Sequence, residues 1–79
     1  EKYTIIAVFM GELPTSGYSI NIDKIIEEKM GVKVFLTETM PGKDCQVNQV
    51  FTYPYQVVKV PKISKIVDFI YNKVVEDCN

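Results

Sequence analysis

Residues 3–10 read YTIIAVFM, apolar at almost every position, whereas the stretches that follow alternate apolar and polar residues. An unbroken apolar run of this length predicts a central strand covered on both faces, with a buried helical segment as the alternative. Gly11 ends the run. Gly-Glu-Leu-Pro-Thr-Ser-Gly over 11–17 predicts a loop, in which Pro14 presets φ for a turn and Gly17 supplies a positive φ. From Tyr18 the alternation is clean, with Tyr18, Ile20 and Ile22 facing one way and Ser19, Asn21 and Asp23 the other. It breaks at Ile25 and Ile26, which predicts a bulge or a strong twist there. Glu27-Glu28-Lys29-Met30-Gly31 then reads as a hairpin connection with Gly31 in the left-handed region.

A second strand is predicted over 32–39, with Val32, Val34 and Leu36 on one face and Lys33, Phe35, Thr37 and Thr39 on the other. Met40-Pro41-Gly42-Lys43 has Pro and Gly at the centre of a type II turn. A short strand is expected over 47–52. It is interrupted at Tyr53-Pro54-Tyr55, since Pro54 donates no backbone hydrogen bond, and strand character resumes over 55–60 until Pro61. Residues 66–75 carry two periodicities. Val67, Phe69, Tyr71 and Val75 alternate as in a strand, while Ile63, Ile66, Val67, Ile70 and Val74 form a helical stripe behind a possible Ser64 N-cap. Their β-branched content favours the strand.

Composition supports the same reading. Val, Ile and Thr supply 25 residues against two Leu and one Ala, and stiff β-branched side chains suit pleated sheets better than helices. The chain is expected to form one all-β domain over residues 1–79, a small, mainly antiparallel sandwich or open barrel. If the first three strands run up, down and up, the loops 11–17 and 40–46 lie at the same end, where loops on a rigid sheet commonly bind partners. The chain opens at Glu1 within strand-like sequence, and reads as a fragment of a longer exported protein whose signal or lipid anchor lies outside it. It contains no apolar run of membrane-spanning length.

Charge and residue inventory narrow the chemistry. The nine basic residues are all Lys, scattered from Lys2 to Lys73, and there is no Arg for bidentate phosphate or base contacts, so nucleic acid is not the expected partner. There is no His, the commonest general base and metal ligand. The carboxylate pairs, Glu27-Glu28 and Glu76-Asp77, sit at turns or ends rather than across a cleft. No activated nucleophile, metal site or cofactor is expected, and the chain reads as non-catalytic. Cys45 and Cys78 are either a single disulfide, which would suit an exported domain, or two unpaired thiols. Both lie in polar, loop-like sequence and are expected near one another.

Binding residues are sought in the polar loops. Pro14, Thr15, Ser16, Gly17 and Tyr18 form one candidate contact segment, with Gly42 and Lys43 beside it and Tyr53 and Tyr55 flanking Pro54. Tyrosine offers large contact area at low entropic cost. The plainer alternative is that these tyrosines cap or underpin the core. Met10, Met30 and Met40, all near element ends, read as gap-fillers.

Three landmarks occur in order: Gly11-Glu-Leu-Pro14-Thr15-Ser-Gly17-Tyr18-Ser-Ile20, Pro41-Gly42-Lys-Asp-Cys45, and Thr52-Tyr53-Pro54-Tyr55. Together, over about residues 11–61, they resemble the C-terminal domain of PrcB-type protease-complex subunits. The resemblance implies a bacterial cell-envelope or secreted domain that binds and stabilises a protease complex. A second likeness is narrower: Pro14, Thr15, Gly17 and Tyr18 match the Asn-Pro-Thr-Thr-Gly-Tyr loop of chagasin-type cysteine-protease inhibitors, while Leu13 and Ser16 depart from it. Those inhibitors' Arg-Pro-Trp loop is absent as such from a chain without Arg or Trp, and only Tyr53-Pro54-Tyr55 remotely resembles it. The readings are thus a protease-associated binding module, a direct protease inhibitor inserting the 11–18 loop, or a structural or adhesion module of a larger envelope protein.

Overall fold

A computed structural model describes residues 2–78 as five strands: β1 (Tyr3–Phe9), β2 (Ser19–Glu27), β3 (Gly31–Pro41), β4 (Tyr55–Pro61) and β5 (Ile66–Glu76). They form two sheets. β1 pairs antiparallel with β4, and β3 stands between antiparallel β2 and parallel β5. No helix occurs among the described residues. The fold is a small, mostly antiparallel β-sandwich and not a closed barrel. The C-terminal segment is a strand, in keeping with its β-branched residues. It pairs in parallel because the chain leaves the three-stranded sheet after β3, descends through β4 in the other sheet and returns, which supplies the crossover that parallel strands need.

Alternation builds the core. Ile6 and Val8 of β1, Ile20 of β2, and Val32, Val34 and Leu36 of β3 are buried, and Val58, Val60, Ile63 and Val67 pack against them. β2 reaches this core in two halves. Its register against β3 shifts between Ile22 and Lys24, leaving Asp23 as the extra residue. Ile20 and Ile22 face inward before the shift and Ile25 after it. The break in alternation at Ile25 and Ile26 is therefore the downstream effect of a bulge at Asp23. The bulged carboxylate accepts hydrogen bonds from Thr37 Oγ1 and Asn21 Nδ2. The Thr37 hydroxyl, then Asn21 and the charge of Lys24, hold its pKa below the ordinary carboxylate value.

Four local expectations are corrected. β1 is not a central strand covered on both faces; among the described residues β4 is its only partner strand, and its outer face is bare. Gly31 does not take a positive φ, which among glycines is found only at Gly11 and Gly17. It opens β3 where β5 comes close: a Cβ there would lie 2.8 Å from Ile66 O. The Pro41-Gly42 pair is not the centre of a turn, because β3 runs on to Pro41 and Gly42 N donates to Glu76 O, so the turn follows at 42–45, closed by Cys45 N donating to Gly42 O. Residues 47–52 are not a strand but irregular chain, in which Thr52 forms an isolated β-bridge with Leu13.

The molecule is long and thin, 43 × 21 × 14 Å, with a radius of gyration of 15.0 Å, against about 12 Å expected for a compact domain of this length. Two layers this slender cover only one face of each sheet. The fold also gathers charge that is dispersed in the sequence: Lys2, Lys29, Lys33, Lys62 and Lys65 meet at the end opposite the 11–18 loop, where Lys33 pairs with Glu28 and Lys65 with Glu27.

Candidate functional site

The chain between β1 and β2 and the chain between β3 and β4 meet at one end, as strand parity requires. Gly17, at φ +96°, packs so closely on this junction that a Cβ would lie 3.0 Å from Pro41 Cβ and 3.1 Å from Val47 Cγ1. Thr15 and Ser16 are half-buried and turned inward. Thr52 Oγ1 donates to Thr15 O (2.7 Å), Ser16 N donates to Asn48 O (3.0 Å), and Asn48 N donates to Ser16 Oγ (2.8 Å). Leu13 and Thr52 exchange backbone hydrogen bonds at 2.9 Å. The 11–18 loop is thus clamped along the 47–52 segment. Pro14 and Lys43 are exposed at its surface, whereas Tyr18 and Gly42 are half-buried. Cys45 and Cys78 are joined by a disulfide, which ties the end of β5 to the same junction.

The exposed chemistry at this end is aromatic. Tyr53, Tyr55, Phe51 and Phe9 all project to solvent, and Tyr53 Oη donates to Glu12 Oε1 at 3.2 Å. Phe9 and Tyr55 are opposite one another in the β1–β4 ladder and stack with ring centroids 6.4 Å apart. They begin a continuous apolar face. Because odd-numbered residues of both strands point away from the core, Ile5, Ala7, Phe9, Tyr55 and Val57 form the outer surface of this sheet, closed at the far end by Tyr3 with Lys59 Nζ over its ring at 4.3 Å. Phe9 and Tyr55 are 67% and 66% exposed. Contiguous exposed apolar surface is uncommon on monomeric proteins, which makes this face the candidate contact surface.

Of the residues expected to bind a partner, Tyr55 heads this face, Tyr53 is exposed and hydrogen-bonded to Glu12 of the chain that follows β1, and Gly17 ties the 11–18 loop to Pro41, whereas Gly42 lies against Glu76 of β5 in the other sheet. Phe9, Ile5 and Val57 escaped the sequence reading. For Ile5 and Phe9 the signal was the apolar residues on both faces of 3–10: one set belongs to the core, and the other is the bare outer face. At the opposite end a groove of about 310 Å³ opens between the sheets, lined by Ile25, Val32, Val60 and Ile63 with Lys62 and Lys65 at its rim. No group of three or more His, Cys, Asp or Glu side chains able to hold a metal ion occurs among the described residues.

No match was found among curated proteins or among solved structures. The family comparison matches residues 4–61, a span that runs from β1 through the clamped loop and the Tyr53-Pro54-Tyr55 corner to the end of β4 and contains the apolar face except Tyr3, and on that match the chain belongs to the PrcB C-terminal family.

Proposed function

We propose that this chain is a non-catalytic binding module that associates with a protease complex and stabilises it, at the bacterial cell envelope or in secreted form. The observation that carries the reading is the bare outer face of the β1–β4 sheet, headed by the stacked Phe9 and Tyr55. A row of exposed aromatic and β-branched side chains on a paired, rigid sheet offers desolvation without much loss of side-chain freedom, the usual make-up of an interface core. Family membership supports a protease-complex context. The Cys45–Cys78 disulfide supports an oxidising compartment. The clamped state of Thr15 and Ser16 favours a supporting contact over insertion of the 11–18 loop into a protease cleft, since their hydrogen-bonding groups are already engaged.

The test is capture on immobilised chain from the host's envelope fraction, with proteolytic activity measured in the retained material. The expected result is retained protease whose turnover is intact and whose lifetime is longer with the chain bound, and loss of that retention on Phe9→Lys/Tyr55→Lys. Protease retained equally by the double variant would reject the β1–β4 face, and turnover suppressed on binding would reject the stabilising role.

A further inference from the structure

β5 is the edge of its sheet. β3 pairs with it from Ile66 to Glu76, and its other side has no partner strand among the described residues. Natural edges are usually shortened, bulged or interrupted by proline, because free N–H and C=O groups template pairing with another chain. Ile66–Glu76 contains no proline, and Lys73 is its only lysine. Beyond Val67, which packs against the core, it is also exposed on both faces. Phe69 and Tyr71 stand in register with Val34 and Leu36 on the core side, yet are 42% and 57% exposed, while Ile70 and Val74 are exposed on the opposite side. Parallel strands are ordinarily covered on both faces.

We propose that this edge is an interface between two copies of the chain, paired antiparallel through β5 with Ile70 on the two-fold axis, so that two three-stranded sheets become one. The strand's own sequence identifies the occupant. Glu76 O accepts from Gly42 N and therefore faces β3. Alternation then turns the N–H and C=O groups of Val67, Phe69, Tyr71 and Lys73 to the open edge. A two-fold axis normal to the sheet keeps each face on its own side. With Ile70 opposite Ile70 of the second copy, Phe69 exchanges hydrogen bonds with Tyr71 and Val67 with Lys73. Asp68 then lies opposite Asn72, and Ile66 opposite Val74. Aromatic pairs, β-branched pairs and a carboxylate–amide pair are all favourable across strands, and no like charges meet.

Neighbouring registers are poorer. With Tyr71 on the axis, Ile66 faces Glu76 and Asp68 faces Val74; with Asn72 on it, Asp68 faces Glu76; with Phe69 on it, Asp68 faces Ile70 and Lys65 faces Lys73. Self-complementarity at one register, on an edge whose side chains past Val67 are exposed on both faces, is what favours a second copy over an unrelated strand.

Edge pairing covers less than the standard interface of about 1,600 Å², so the dimer is weak and forms in the range of about 10–500 μM. Sedimentation equilibrium of the oxidised chain should show a monomer at about 1 μM shifting to a dimer toward 1 mM. Ile70→Lys and Ile70→Glu each place like charges at a non-hydrogen-bonded pair, where Cα atoms approach to about 4.5 Å. Each variant alone should stay monomeric with an unchanged circular dichroism spectrum, and an equimolar mixture of the two should dimerise again. Independently of any variant, a mixed-label NMR sample of the parent dimer should show contacts between Phe69 of one copy and Tyr71 of the other. A parent chain that stays monomeric at 1 mM overturns the proposal. So does a dimer that survives in either single variant, a mixture of folded variants that does not associate, or a dimer without the Phe69–Tyr71 contact.

Discussion

Removing the Cys45–Cys78 bridge should cost a large share of this protein's stability. The two cysteines are 33 residues apart. Cross-linking a loop of that length lowers the entropy of the unfolded chain by about 12.5 cal/mol/K, or about 3.7 kcal/mol at 25 °C. At the usual stability per residue, a 79-residue domain has about 4–12 kcal/mol in total. Its core is slight: among the described residues only Ile6, Val8, Ile20, Val32, Val34 and Leu36 are buried, and β5 contributes none of them. The assay is urea unfolding of the Cys45→Ala/Cys78→Ala variant beside the oxidised parent, followed by circular dichroism. With a slope of about 1 kcal/mol/M for so small a domain, the midpoint should fall by about 3–4 M, or the transition should disappear. Amides of β5 near Glu76 should lose hydrogen-exchange protection first, because the bridge fastens the C-terminal end of β5, which pairs with β3 on one side and is otherwise exposed. A loss below about 1 kcal/mol, in both the variant and the reduced parent, would refute the entropic reasoning.

Gly17→Ala should destabilise by about 2–3 kcal/mol, combining a left-handed backbone with crowding against Pro41 and Val47, whereas Gly11→Ala, at φ +81° with nothing within 4 Å, should cost only about 1 kcal/mol; thermal melts of the two variants check the order. Thr15→Lys/Ser16→Lys should cost about 1–3 kcal/mol in urea unfolding, more than a surface change, because Asn48 N loses its Ser16 Oγ acceptor and the clamp must open to admit the longer chains. Asp23 has a depressed folded pKa, so its contribution is present above the unfolded value near 3.8 and is lost as pH falls through the lower folded value. Melting temperatures of the parent and of Asp23→Ala, followed downward from pH 6, should therefore converge in strongly acid solution, and a gap that stays constant with pH would contradict the Thr37 and Asn21 hydrogen bonds.

Much of the fold was legible because period-two alternation and β-branched composition act locally. Val32, Val34 and Leu36 form the inner face of β3 as their spacing requires, and 66–76 is a strand for the reason its Val and Ile residues give. What could not be read were the effects of strands distant in sequence. Gly31 and Gly42 look like turn glycines, yet each lies where a side chain would strike a β5 carbonyl oxygen, Ile66 O or Glu76 O. Asp23 gives no local sign that it is the extra residue of a bulge; the phase change is visible only two residues later. The outer face was hidden by an ambiguity of the same kind: an apolar residue at Ile5 or Phe9 reads alike whether a second layer covers it or a partner does. Parity did place the 11–18 and 41–46 loops together, because strand direction alone decides which end a loop occupies.

The proposed binding of a protease partner by the outer β1–β4 face is tested by the dissociation constant of the captured protease for Ile5→Lys and Val57→Lys. Both residues point away from the core and are more exposed than buried neighbours such as Ile6 and Val8, so melting temperatures should stay close to the parent's. Each variant should weaken binding by about 1–2 kcal/mol, roughly 5- to 30-fold, as substitutions within an interface core do, while Val74→Lys on β5 should leave the constant unchanged. Unaltered affinity in both β1–β4 variants, with the fold intact, would contradict the claim.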